Sequence, residues 1–249
     1  MKFSKSAAQK MINSVPNWYH KIEIGTDLIT PGITDGGVTL KKLDIPKDCT
    51  GKRVLDIGTR DGYFAFELEK RGAEVVAIDY VPIEKTGFHV VAELLDSKVV
   101  YIHENIYNLN PDSLGTFDIV LFLGLLYHLP DPINALNIVR SLCTDRMYLE
   151  TQSIDNALML PDGKFTSLDS ISPVLTQIPL VQFYPGRSLN NDPTNYWAPN
   201  LKALEAMLSE CRFTTISKLL NGNRAIVECK VVENSELDYL GKIASKHRV

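Results

Sequence analysis

The sequence predicts an α/β protein whose mainly parallel sheet is covered by helices on both faces. Three observations point there. From residue 52 onward, apolar runs of strand length alternate with stretches of helix length. The first such run carries an acid near its end and passes through a glycine turn into a helix start, VLDIGTRDGYF, residues 54–64. A second acid, Asp79, closes the next apolar run, 21 residues past Gly58. Alternation of this kind is what parallel strands joined by crossover helices require, and it buries both faces of the sheet.

The 249 residues suffice for one large domain, whereas two halves would each hold a modest core. A single domain over 1–249 is therefore expected, comprising an N-terminal cap (1–50), a cofactor-binding core (51–151), an insertion (152–199), a closing helix and hairpin (200–230) and a tail (231–249). Apolar residues at 45% and charged residues at 22% place the chain among ordinary folded proteins rather than disordered ones. A formal net charge of −4 gives no overall attraction to nucleic acid or anionic lipid. Cys49, Cys143, Cys211 and Cys229 form no CxxC pair and read as small core residues in a reducing compartment, not as zinc ligands. The first 18 residues have no continuous apolar core and no run reaches the length of a membrane span, so a cytoplasmic protein without a membrane contact is expected.

The elements follow in order. Residues 6–15 read as a helix with Ala7, Met11, Ile12 and Val15 roughly on one face. Residues 18–37 are irregular, punctuated by Gly25, Pro31-Gly32 and Gly36-Gly37. Strands are expected at 53–57, 74–79, 99–103, 117–122 and 147–151, with helices at 62–71, 83–95 and 131–142. The alternation breaks over 152–199, where Pro161, Pro173, Pro179, Pro185, Pro193 and Pro199 leave no sustained period. A structureless insertion of that length in a compact domain suggests a functional lid. A helix at 200–211 and strands at 214–219 and 224–230 complete the core. Asn221-Gly222-Asn223 signals a tight turn that makes the last two strands antiparallel. The tail over 235–247 reads as a surface helix.

The chemistry begins at the glycine turn. Gly58 lets the backbone turn and approach a ligand closely, Gly62 relieves packing where the helix leaves the sheet, and Asp56 can accept from a cationic amino group above the turn. A plain strand–helix corner is the bland alternative. Asp79 weighs against it, because an acid at the end of the second strand can take both ribose hydroxyls of an adenosine. Where a pyrophosphate-binding turn has GxGxxG, Gly58, Arg60 and Gly62 stand as GxRxG. A nucleoside without phosphates fits that turn, and S-adenosylmethionine is such a ligand.

DIGTRDG, then LFLGLLYHLPDP, then NYWAPNLKALEAMLSECRF together resemble the class I methyltransferases related to the tRNA wobble-uridine carboxymethyltransferase, over about residues 18–230. The resemblance implies a Rossmann-like sheet of seven strands in the order 3-2-1-4-5-7-6 and S-adenosyl-L-methionine as cofactor. It implies that Asp56, Gly58 and Gly62 border the methionine part and Asp79 the ribose, with Thr59, Arg60 and Tyr80 among the cofactor-binding residues. Asn105-Ile106 would flank the adenine and Leu123-Gly124 the far side of the cofactor. Arg60 departs from the pattern, since many class I enzymes have glycine there. The wobble-uridine relative takes a carboxylated cofactor, held by an arginine opening the final strand and a lysine just after a tryptophan. Arg224 stands at the first place, but His20, with Lys21 next to it, stands at the second. Ordinary S-adenosylmethionine is therefore the expected donor.

Two segments are candidates to meet the acceptor. Tyr127 and His128 follow the fourth strand at the end where open α/β sheets bind ligands, and His128 has the pKa range of a general base. The alternative is that His128 only fixes a loop. Tyr19 and His20 form an aromatic cluster in the cap that either packs there or covers the cofactor. Arg187, Tyr196 and Trp197, with Tyr184 and Asn195, are the lid candidates, and Trp197 could equally be core. No metal is expected, because no cluster has ligand spacing. Methyl transfer to oxygen or nitrogen of a small metabolite is the leading expectation. A tRNA-modifying enzyme is the second, with the acidic balance and the absence of a basic stripe and of that relative's longer N-terminal region against it. A nucleoside-binding protein without chemistry is the third. The acceptor itself and the oligomeric state are not encoded in any legible motif.

Overall fold

The computed structural model describes residues 3–25 and 27–233. The N-terminal cap holds helix α1 (Lys5–Ser14) and the short α2 (Gly36–Leu40). The core then runs β1 (Arg53–Ile57), α3 (Tyr63–Lys70), β2 (Glu74–Asp79), α4 (Phe88–Leu95), β3 (Val100–His103), α5 (Pro111–Leu114), β4 (Phe117–Leu123), α6 (Pro132–Leu142) and β5 (Cys143–Gln152). The insertion carries β6 (Leu158–Met159), β7 (Phe165–Thr166), α7 (Leu168–Ile171), β8 (Val181–Phe183) and β9 (Trp197–Pro199). Helix α8 (Leu201–Glu210) and the hairpin β10 (Phe213–Asn221) and β11 (Arg224–Val231) close the domain.

The seven-stranded sheet has the order β3-β2-β1-β4-β5-β11-β10, which is the 3-2-1-4-5-7-6 arrangement that the resemblance implied. Strands β3 to β5 run parallel, and β11 enters antiparallel to β5 because its partner β10 precedes it across a two-residue turn. Asn221 pairs with Arg224, and Gly222 takes φ +60°, the left-handed first position that a type II′ hairpin turn demands.

The period of two along each strand sorts the core into two layers. Val54, Val75, Ala77, Ile119 and Leu121 face α1, α3 and α4, while Leu55, Val76, Ile78, Val120 and Phe122 face α6 and α8. Both faces are buried, so the central strands read as unbroken apolar runs. Among the described residues no helix is long and apolar enough to cross a membrane.

Three differences from the expected elements have local causes. The helix expected over 83–95 is broken into a 3-10 turn (Ile83–Lys85) and α4. At the break the Gly87 N–H is taken by Asp61 at 2.9 Å, and a side chain at Gly87 would collide with the Trp18 ring. Strand β5 is twice the expected length because it pairs along β4 on one side and β11 on the other. The insertion is not structureless. It folds into two small ribbons and a helical turn around its own core of Ile154, Leu168, Tyr184, Leu189 and Ala198. Asn200, fully buried, caps α8 by accepting from Ala203 N and binds the insertion through Leu180 N, Leu175 O and Ile178 O. The tail helix expected over 235–247 lies outside the described residues.

Asp61 fastens the cap to the sheet. Its fully buried carboxylate accepts from Tyr19 N at 2.6 Å and His20 N at 2.9 Å through one oxygen, and from Gly87 N through the other. Three segments distant in sequence thus meet on one side chain. Asp61→Ala leaves three buried N–H groups without a partner and is expected to lower stability by about 3 kcal/mol, read from the urea midpoint. Amide exchange at Tyr19 and His20 should accelerate at the same time. Unchanged exchange at these two amides in a folded variant would show that the cap is held by something else.

Candidate functional site

A cavity of about 920 Å³ opens at the carboxyl ends of β1, β2, β4 and β5, the end of an open α/β sheet where ligands bind. The turn after β1 forms one wall. Gly58 adopts φ +80° and donates its N–H to Ile78 O, as Thr59 does, which brings the turn onto the end of β2. Arg60 also has a left-handed backbone, φ +54°, where glycine would be unstrained. Its N–H donates to Asp79 Oδ2 at 2.8 Å, and Val81 N donates to Asp79 Oδ1 at 3.0 Å. Asp79 is thereby fixed at the strand end, facing the cavity with lone pairs to spare.

Asp56 is 2% exposed, lines the same wall, and its Oδ2 has no hydrogen-bond partner among the described residues. Burial pushes its pKa up to about 7. A buried carboxylate in this state is short of one cationic or hydrogen-donating partner. Beyond β3, Asn105 caps a short turn by accepting from Tyr107 N, which places Asn105 and buried Ile106 on the rim beside Tyr80. Leu123 and Gly124 end β4 on the opposite side.

The part of the cavity toward β5 and β11 is lined by Tyr19, His20, Tyr127, His128, Tyr196 and Arg224. Arg224 lies over the Tyr127 ring at 4.9 Å and pairs with Glu150 at 3.3 Å. Its Nη1 has no partner among the described residues. The His20 ring is 4% exposed, packed edge-on against Tyr19 and Phe64, with Nδ1 unpartnered. Burial lowers its pKa to about 4, so it stands in the wall as a neutral ring and is a poor proton acceptor near neutrality. His128 is half-buried on a 3-10 turn (Leu126–His128), its ring 4.1 Å from that of Tyr127. Burial lowers its pKa as well.

Six residues expected at the site do not line the cavity. Gly62 is the left-handed residue before α3, φ +89°, and a side chain there would meet Phe66 and Phe88, so its glycine serves helix packing. Thr59 is buried behind the turn. Trp197 is core, with its Nε1 donating to Leu129 O at 2.9 Å. Arg187 is exposed on the insertion and donates to Asn191 O. Tyr184 and Asn195 likewise serve the insertion, Tyr184 in its small core and Asn195 by donating to Leu189 O.

Conversely, Asp61, Glu150, Asp192 and Thr194 shape the site and were not singled out from the sequence. Asp61 sits in the turn that follows Asp56 and β1, and Glu150 near the end of β5 as Asp79 ends β2, which were available signals. Nothing local marks Asp192 or Thr194. Among the described residues no three His, Cys, Asp or Glu side chains gather as a metal-binding group.

Comparison with known proteins agrees with this architecture. A family model described as a methyltransferase domain matches residues 39–207. The tRNA U34 carboxymethyltransferase of Campylobacter hominis is 36% identical over 112 residues, covering 43% of this chain and 39% of that enzyme. The ubiquinone biosynthesis O-methyltransferase of Vibrio parahaemolyticus is 34% identical over 88 residues, covering 34% of this chain and 37% of that enzyme. The matched segments therefore span well under half of these relatives' lengths. The N-terminal domain of EvdMO1, crystallised with SAH bound, superposes with a TM-score of 0.63 at 17% identity, covering 93% of this chain and 98% of that domain. A putative S-adenosylmethionine dependent methyltransferase from Listeria monocytogenes gives 0.58 at 16% identity, covering 79% of this chain and 97% of that one. These two likenesses establish the fold, and the family match over 39–207 carries the assignment: the chain belongs to the methyltransferase domain family.

Proposed function

We propose that the protein binds S-adenosylmethionine and transfers its methyl group to an oxygen or nitrogen of a small acceptor. The observation that carries this reading is the pair of strand-end carboxylates on one cavity wall. Asp56 has a bare buried oxygen suited to the ammonium of the methionine part, and Asp79, held at the strand end by two backbone N–H groups, would take two ribose hydroxyls. Gly58, at φ +80°, brings backbone without a side chain of its own to the wall between them. Asn105 and Ile106 would border the adenine, and Leu123 with Gly124 the far side of the cofactor. When bound, the sulfonium supplies an activated methyl group. The chain's own task is to hold the acceptor atom in line with it and to exclude water. Tyr19, Tyr127, His128 and Tyr196 form the walls on that side.

A tRNA acceptor is the second reading, favoured by the likeness to the Campylobacter enzyme. The net charge of −4 weighs against it, since RNA binding needs several phosphate-facing cations. The donor reading follows from the same electrostatics. A carboxylated cofactor requires cations at two positions, and at one of them His20 is neutral, while at the other Arg224 already pairs with Glu150 through Nε.

Purified protein incubated with S-adenosylmethionine should release S-adenosylhomocysteine with members of a panel of hydroxylated and amine metabolites, and not with unmodified tRNA. Release with tRNA alone would replace the first reading by the second. Asp79→Ala should weaken S-adenosylmethionine binding by roughly 1–3 kcal/mol in isothermal titration, the range for losing charge-assisted hydrogen bonds. Equal affinity in a folded variant would remove Asp79 from the ribose. Mass spectrometry of the cofactor that co-purifies should show the unmodified species. Finding the carboxylated form would overturn the donor reading and promote the tRNA one.

A further inference from the structure

The insertion and the turn after β4 are joined at several points around His128. Tyr196 N donates to Tyr127 O at 3.0 Å, and Trp197 Nε1 donates to Leu129 O at 2.9 Å. Between these, His128 Nδ1 lies 3.1 Å from Thr194 O and 2.9 Å from Thr194 Oγ1. Thr194 Oγ1 in turn lies 2.6 Å from Asp192 Oδ1, which also accepts from Thr194 N at 2.9 Å.

The direction of every proton in this chain is determined. An ionised carboxylate only accepts, so the Thr194 hydroxyl donates to Asp192, and hydrogen bonding from Thr194 keeps Asp192 ionised by lowering its pKa. With its hydrogen committed, Thr194 Oγ1 can only accept from His128. The carbonyl of Thr194 is an acceptor in any case. Both neighbours of Nδ1 therefore demand a proton there, and the opposite tautomer would set lone pair against lone pair. His128 Nε2, on a ring that lines the cavity, has no hydrogen-bond partner among the described residues.

Resting on the proposed methyl transfer, we propose that Asp192 and Thr194 lock His128 in the Nδ1–H tautomer, which makes Nε2 the proton acceptor for a hydroxyl acceptor bound in the cavity. In that step the acceptor's O–H bond breaks and its proton goes to Nε2. The oxygen–carbon bond to the methyl group forms as the carbon–sulfur bond breaks, with that electron pair passing to sulfur. The imidazolium then returns its proton to solvent. The charged groups around the ring suit this role. Asp192 steadies the imidazolium that forms, while burial and Arg224 keep the resting ring neutral. His128 is thus the catalytic residue, and Thr194 and Asp192 are positioning residues supplied by the insertion.

The test is a long-range ¹H–¹⁵N correlation spectrum of the full chain labelled with ¹⁵N-histidine, the His128 signals being assigned by their loss in His128→Asn. The wild type should show a single Nδ1–H tautomer that titrates below the ordinary histidine range. Thr194→Val and Asp192→Asn should each raise the Nε2–H fraction without reversing the tautomer, because Thr194 O still accepts from Nδ1, and Thr194→Ser should restore the wild-type spectrum. With catechol as the hydroxyl probe, Thr194→Val should lower kcat roughly tenfold and His128→Asn roughly a hundredfold, the KM for S-adenosylmethionine being unchanged. A wild-type Nε2–H tautomer, a Thr194→Val spectrum identical to wild type, or no transfer to catechol by a protein that methylates amines would each overturn the proposal. Titration with S-adenosylmethionine in the same samples separates the two failures. Binding with the wrong tautomer refutes only this inference, whereas no binding by the wild type refutes the methyltransferase reading beneath it.

Discussion

The site depends on how two buried carboxylates fix one turn. Asp79 accepts from Arg60 N, and Asp61 accepts from the cap and from Gly87, so the loop between β1 and α3 is held from below and from above. A loop of this kind would otherwise be free to open, because Gly58 and Arg60 both adopt left-handed backbone conformations that nothing in their own side chains stabilises. Charge-assisted hydrogen bonds to backbone N–H groups are among the stronger ones available, and here they are out of competition with water. The same contacts place Tyr19 and His20 at the cavity, while Asp56, at the end of β1, keeps one oxygen without a partner among the described residues. Binding capacity and fold stability are thus drawn from the same few side chains.

The two parts of the cavity differ in how their charges are arranged. On the β1–β2 side, carboxylates dominate, and the elevated pKa of Asp56 marks a position where a bound cation would relieve the cost of burial. On the β5–β11 side, Arg224 pairs with Glu150, His20 is held uncharged, and Lys42 and Asp192 stand with aromatic rings around the cavity. A cationic group of a ligand fits the first side. The insertion contributes Asp192, Thr194 and Tyr196 to the second part. Its own small core makes it a built wall, where the spacing of prolines suggested a loop without structure.

The sheet was legible because its signals are local and repeated. Strands β1 and β2 occupy the residues that the apolar runs mark, and the Gly222 turn closes the hairpin where the sequence places it. Asp56, Gly58 and Asp79 were legible for the same reason, since strand-end acids beside a glycine turn form a short-range pattern. The insertion was not, because strands of two or three residues carry no period, and they are held by distant partners such as Asn200. Trp197 and Arg187 show the limit at single residues. An aromatic and a cation near a cleft look alike in sequence whether they face it, pack behind it or point to solvent; Trp197 packs behind it and Arg187 points to solvent. Thr194 was invisible on the same grounds, since its role exists only once the insertion has folded against the turn after β4.

The account stands on where the nucleoside lies. A crystal structure of the protein grown with S-adenosylhomocysteine tests this most directly. The account predicts the ligand along the β1–β2 wall, its ammonium at Asp56, its ribose hydroxyls at Asp79 and its adenine beside Asn105 and Ile106, with the sulfur turned toward Tyr127 and His128. A ligand bound anywhere else, or one in the cavity with its ribose away from Asp79, would contradict it.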